Sequence, residues 1–128
     1  SLYSLTLKGK DGAEQIERIL TSFRNNPPTQ VADKSVTFIE DYQSSKKVDV
    51  VHNRLENIHL PKSNVLKYYV NDGSWFTVRP SGTEPKAKFY FAVQGKNLEE
   101  SQNLLERLQT EVIELVDSII SKKNQPVT

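Results

Sequence analysis

One stretch constrains the fold more than any other: Trp75-Phe76-Thr77-Val78-Arg79-Pro80-Ser81-Gly82-Thr83-Glu84-Pro85-Lys86-Ala87-Lys88-Phe89-Tyr90. It sets two strand-like runs on either side of a short polar loop. Downstream of the loop, Ala87, Phe89, Phe91 and Val93 alternate with Lys86, Lys88 and Tyr90, the period of a strand with one buried face. Upstream, residues 65–70 and 75–78 read as strands joined by Asn71-Asp72-Gly73-Ser74, and an Asp-Gly pair takes positive φ readily.

The loop between these runs concentrates polar chemistry. Arg79 offers a planar guanidinium that can grip two oxygens of an anion at once. Ser81 and Thr83 add hydroxyl donors, and Gly82 permits a turn that points successive amides into one concavity. Pro80 and Pro85 limit the freedom lost when such a loop closes on a ligand. Lys86 and Lys88 share a strand face with Tyr90 and could add positive charge beside it. Two readings stay open from the loop alone. One is a phosphate cradle; the other is a plain hairpin turn in which Arg79 and Glu84 form a surface ion pair. Neither contains a nucleophile paired with a base, so no catalytic residue is expected here.

The rest of the chain supplies a frame for that hairpin. Residues 3–7 alternate Leu5 and Leu7 against Ser4 and Thr6, a short strand followed by a turn at Gly9-Lys10. Asp11 and Glu14 have the spacing of a capping box, and Ile16, Ile19, Leu20 and Phe23 give residues 12–24 an apolar helical face ended by Pro27-Pro28. Val36-Thr37-Phe38-Ile39 is a second strand. Residues 43–61 are polar and irregular and read as a long excursion loop, with His52 and His59 as solvated loop histidines. Asn97 and Glu100 form a second cap pair ahead of a helix to about Ser121, with Leu98, Leu105, Leu108, Val112, Leu115 and Ile119 on one face. The expected order is strand, helix, four strands, helix: an α+β fold whose antiparallel sheet is covered on one side by two helices.

Composition excludes several functions. A formal charge of +1 gives no global field toward nucleic acid, and the strands show no basic stripe with aromatic stacking platforms. No apolar run reaches the ~20 residues of a membrane helix. The absence of cysteine rules out disulfides, thiolate metal sites and a cysteine nucleophile, and agrees with a cytoplasmic setting. The chain has no methionine and opens directly into a strand, so it reads as a piece of a longer protein.

The run Arg79-Pro80-Ser81-Gly82-Thr83-Glu84-Pro85-Lys86 resembles the phosphate-binding loop of the α-D-phosphohexomutases, the superfamily of phosphoglucomutases and phosphomannomutases. The likeness extends to Asn71-Asp72-Gly73-Ser74-Trp75 before it and Lys88-Phe89-Tyr90 after it, and the element order resembles that family's C-terminal, TATA-binding-protein-like domain. The resemblance implies a parent of four domains that interconverts hexose 1-phosphate and 6-phosphate through a phosphoserine and a bisphosphorylated sugar. It implies Mg2+ and a hexose 1,6-bisphosphate activator in that parent, with the catalytic serine loop and the magnesium loop on domains absent from this sequence. By position it makes Arg79, Ser81, Gly82 and Thr83 the ligands of the substrate's non-reacting phosphate, Lys88 a second basic contact, Lys86 a weaker one, and Pro80, Glu84 and Pro85 the braces of the loop.

On this reading residues 1–8 are a linker or the tail of a preceding domain, residues 9–123 the phosphate-binding domain on a hinge before Gly9, and residues 124–128 a loose tail. Its partners are a phosphosugar and the other three domains, with no nucleic acid and no membrane, and the isolated piece binds at most phosphate or sulfate without catalysis. Phosphoglucomutase is the expected activity; the alternatives are a phosphomannomutase or phosphopentomutase of the same family, or a non-enzymatic module for anions or nucleic acid.

Overall fold

A computed structural model of the 128-residue chain describes residues 1–7 and 11–123. The elements run β1 (Leu2–Thr6), α1 (Gly12–Asn25), β2 (Gln30–Val31), β3 (Lys34–Asp41), β4 (Lys46–Asp49), β5 (Arg54–Asn57), β6 (Leu66–Val70), β7 (Trp75–Pro80), β8 (Lys86–Ala92) and α2 (Leu98–Lys123). The α+β class and the one-sided helical cover are as expected. The expected turn at Gly9-Lys10, the hinge before Gly9 and the tail from residue 124 lie outside the described residues.

All pairings are antiparallel, in the order β1-β8-β7-β6-β3-β4-β5, with β2 joined to β3. The alternation in the sequence decides which side each residue takes. Ala87, Phe89 and Phe91 of β8, Phe76 and Val78 of β7, and Leu66, Tyr68 and Val70 of β6 form one side of the core. Ile16, Ile19, Leu20 and Phe23 of α1 and Leu108, Val112 and Val116 of α2 form the other. Tyr68 is fully buried, and its hydroxyl donates to the Phe23 carbonyl (2.7 Å), so a polar atom in this core is satisfied.

The turns follow local chemistry. At the β6–β7 hairpin Gly73 has φ +91° and the Ser74 amide donates to Asp72 Oδ1 (2.8 Å). Before α2, the Glu100 amide donates to Asn97 Oδ1 (2.8 Å), the expected N-cap.

Four expectations are corrected. Residues 43–61 are not one excursion loop: β4 and β5 pair as a hairpin and extend the sheet beyond the helices. With β2, the sheet therefore has eight strands rather than five. Five side chains of β4–β5 are charged, so the run lacks an apolar strand signature, and pairing with β3 is what orders it. Asp11 is the N-cap of α1 but makes no side-chain cap bond, because its backbone sits at φ −90°, ψ 0° instead of the extended geometry that aims a cap oxygen at the first turn. Leu98 is 75% exposed, since the first turn of α2 runs past the edge of the core. The uncovered sheet face does gather cations, as described below.

Candidate functional site: the β7–β8 loop

Register determines what meets at the loop. Arg79 stands directly across from Lys88, Thr77 across from Tyr90, and Pro80 across from Ala87. Alternation then places Arg79, Lys86, Lys88 and Tyr90 on the face that no helix covers, and Lys67, opposite Thr77, joins them from β6. On β1, Ser4 lies across from Lys88 and Thr6 across from Lys86. The face made by β1, β8, β7 and β6 thus carries Lys67, Arg79, Lys86 and Lys88 with no carboxylate among its outward residues. This is a basic patch that a one-dimensional reading missed, because its members come from three strands. Its rings are not free platforms: the Lys67 ammonium lies 4.1 Å from the Trp75 ring centre and 4.8 Å from that of Tyr69.

Arg79 itself is poised. Its guanidinium carbon lies 5.7 Å from the Tyr90 ring centre, and its Nε is buried with no hydrogen-bond partner. No ion pair joins it to Glu84 among the described residues, so the plain-turn reading with that pair does not hold. An unsatisfied guanidinium nitrogen is costly unless an acceptor arrives.

The loop is held from below and left open above. The Ser81 amide donates to the Lys86 carbonyl (2.8 Å), the Lys86 amide to the Glu84 carbonyl (2.7 Å), and the Leu7 amide to the Pro85 carbonyl (2.8 Å). Gly82 has φ +92° and nothing stands within 4 Å of where a Cβ would be. Gly82 and Thr83 are exposed and make no hydrogen bond to the described residues, so their amides and the Thr83 hydroxyl are available to a ligand. Underneath, Gly12 at the start of α1 touches the loop: a Cβ there would lie 2.9 Å from Pro85 Cβ and 2.6 Å from the Leu7 carbonyl oxygen. Gly12 and Leu7 are the supports that sequence reasoning did not single out, and no local signal marks them.

On its helix side the loop borders a cleft of about 560 Å3 lined by Thr21, Arg24, Asn64, Gly82, Thr83 and Glu84 among others. Arg24 is already engaged there, donating from Nε to Asp41 (2.9 Å) and from Nη2 to Asn64 (2.9 Å). Burial pushes the Asp41 carboxyl up, but the Arg24 bond and the amides of Gln43 and Ser44 outweigh it and leave its pKa below the ordinary value. Among the described residues, Arg79 on the open face has no anionic partner, whereas Arg24 in the cleft is paired.

No group of three or more His, Cys, Asp or Glu side chains is arranged to hold a metal among the described residues. His52 and His59 are exposed, and His52 Nδ1 lies 2.9 Å from Asp49. No described helix is long and apolar enough to cross a membrane.

Residues 8–115 match the family described as phosphoglucomutase/phosphomannomutase, C-terminal domain. The chain belongs to that family. Individual relatives are similar to it as well. It is 44% identical over 92 residues to the phosphoglucomutase of Staphylococcus epidermidis strain RP62A, covering 72% of this chain and 17% of that protein. It is 39% identical over 100 residues to the phosphoglucomutase of Staphylococcus aureus strain MSSA476, covering 78% of this chain and 18% of the relative. The chain therefore spans less than a fifth of the length of these phosphoglucomutases.

Proposed function

We propose that this chain is the substrate-phosphate-binding C-terminal domain of a phosphoglucomutase-type enzyme that interconverts hexose 1-phosphate and hexose 6-phosphate. The observation that carries the reading is Arg79, unsatisfied at Nε and set across from Lys88, beside exposed Gly82 and Thr83 in a chain of this family. Arg79 grips two oxygens of the phosphate that is not reacting. Ser81 and Thr83 donate hydroxyls, Gly82 and Thr83 donate amides, Lys88 neutralises the second charge, and Lys86 adds weaker field at the strand end. Pro80, Glu84 and Pro85 hold the loop's shape.

No bond is made or broken by these residues. Binding a remote phosphate fixes the distance and orientation of the sugar's reacting hydroxyl, and that is how such a domain lowers a barrier. The phosphoserine, the magnesium and the other three domains belong to the parent. Among the described residues no cluster of carboxylates or histidines would hold that magnesium. A hexose 1,6-bisphosphate would present either phosphate to the same loop, and the domain, on a hinge before Gly9, would open to let it reorient. The setting is cytoplasmic. Mannose and pentose phosphates are the competing substrates, because the sugar ring is read elsewhere.

The test is titration of the chain with glucose 1-phosphate and with inorganic phosphate, followed by NMR of the backbone amides. Shifts at Gly82 and Thr83 that vanish in Arg79→Ala support the reading. Saturable shifts that survive Arg79→Ala, or no shifts at all, would sink it.

A further inference from the structure

We propose that the β4–β5 hairpin is a self-association surface, with β5 pairing antiparallel to β5 of a second copy about a two-fold axis through Leu55. β5 ends the sheet, and all its residues, Arg54–Asn57, are exposed. The helices lie over β2, β7 and β8, so the hairpin projects beyond them. Three independent features meet at Leu55.

The first is the backbone. Ile58 N–H donates to the Ser45 carbonyl (2.9 Å), and the β4–β5 register continues through Lys47 opposite Glu56 and Asp49 opposite Arg54. Strand alternation therefore turns the amides and carbonyls of Arg54, Glu56 and Ile58 inward, and those of Asn53, Leu55 and Asn57 outward. A two-fold at Leu55 matches outward groups with outward groups: Leu55 with Leu55, and Asn57 with Asn53 of the second copy.

The second is charge. The same axis sets Arg54 across from Glu56 of the second copy, and Glu56 across from its Arg54, at the close positions about 4.5 Å apart at Cα. Neither residue forms an ion pair among the described residues of its own copy. Charges usually protect an edge strand by meeting their like or nothing. Here each meets its opposite, so they select one partner and one register.

The third is apolar surface. Leu55 is 64% exposed and lies across from Val48, on the sheet side facing an apolar cleft of about 350 Å3 that includes Pro27, Pro28, Ile39 and Val50. Val50 and Val51 are also exposed. Pairing through Leu55 lays the second copy's Leu55 and Val48 beside this strip, continuing one sheet through both copies.

Sedimentation velocity on the chain, at rising concentrations to about 1 mM, tests this. A reversible dimer is expected, weakened about tenfold or more by either Arg54→Glu or Glu56→Arg, because each puts like charges face to face. The double variant Arg54→Glu, Glu56→Arg restores every pair and should restore the dimer, with circular dichroism checking that all variants remain folded. A wild-type chain that stays monomeric overturns the proposal and assigns the hairpin to some other occupant. So does a dimer indifferent to the single reversals, or a folded double variant that fails to recover.

Discussion

Arg79 and Lys88 face each other across the β7–β8 ladder, two cations at directly opposed positions on an uncovered sheet face. Opposed like charges destabilise a strand pair by roughly 0.2–1 kcal/mol. The fold bears that cost at a hairpin whose loop presents donors unpartnered among the described residues, and an anion bound there would remove it.

Replacing Lys88 should therefore separate stability from binding. Lys88→Thr is expected to raise the unfolding free energy by a few tenths of a kcal/mol at low salt. It should also weaken the stabilisation against urea conferred by phosphate. Urea melts with and without phosphate check both halves, and a variant less stable than wild type with unchanged phosphate response would contradict the argument.

Arg79→Ala removes the guanidinium instead of its neighbour. In the full-length enzyme proposed above, the expected loss in kcat/KM is about 2–4 kcal/mol, the scale for deleting a charged hydrogen-bond partner. Arg79→Lys should recover only part of it, since a lysine cannot grip two oxygens in one plane. A coupled assay on glucose 1-phosphate reads the effect, and wild-type kcat/KM in Arg79→Ala would end the idea.

The loop's shape is set as much by Gly12 as by its own residues. Gly12→Ala puts a methyl 2.9 Å from Pro85 Cβ and 2.6 Å from a backbone carbonyl, so α1 or the loop must shift. The expected cost is about 1–3 kcal/mol of stability, the usual penalty for overpacking, together with weakened phosphate binding. Gly82→Ala makes a useful contrast. It meets no neighbour but is strained by positive φ, so it should disturb the loop and spare the core.

Acid should loosen the cleft beneath the loop. Asp41 has a native pKa below its ordinary value of 3.8, with the Arg24 bond and two amides overcoming the burial that would raise it. A depressed carboxyl stabilises the fold above the unfolded-state pKa, and that contribution is lost as pH falls through the native one. Asp41→Asn should lower stability at pH 7 by about 1–2 kcal/mol and flatten the decline below pH 4. Chemical unfolding across pH 2–7 measures it, and parallel wild-type and variant curves would rule out the assignment.

The sequence by itself determined the features that depend on neighbours in the chain. The Asp72-Gly73 turn, the Asn97 cap, the buried alternation of Ala87, Phe89 and Phe91, and the polar loop at residues 81–85 all rest on contacts within a few residues, where backbone preference and side-chain period are decisive. The tertiary structure alone decided what depends on register. Lys46–Asp49 and Arg54–Asn57 carry too little apolar surface to declare themselves as strands, and order only when β3 offers a ladder. Gly12 matters because Pro85 lies against it, 73 residues away in sequence. Lys67, Arg79, Lys86 and Lys88 form one basic face only because antiparallel pairing turns three separate alternations the same way, which no single strand's sequence can specify.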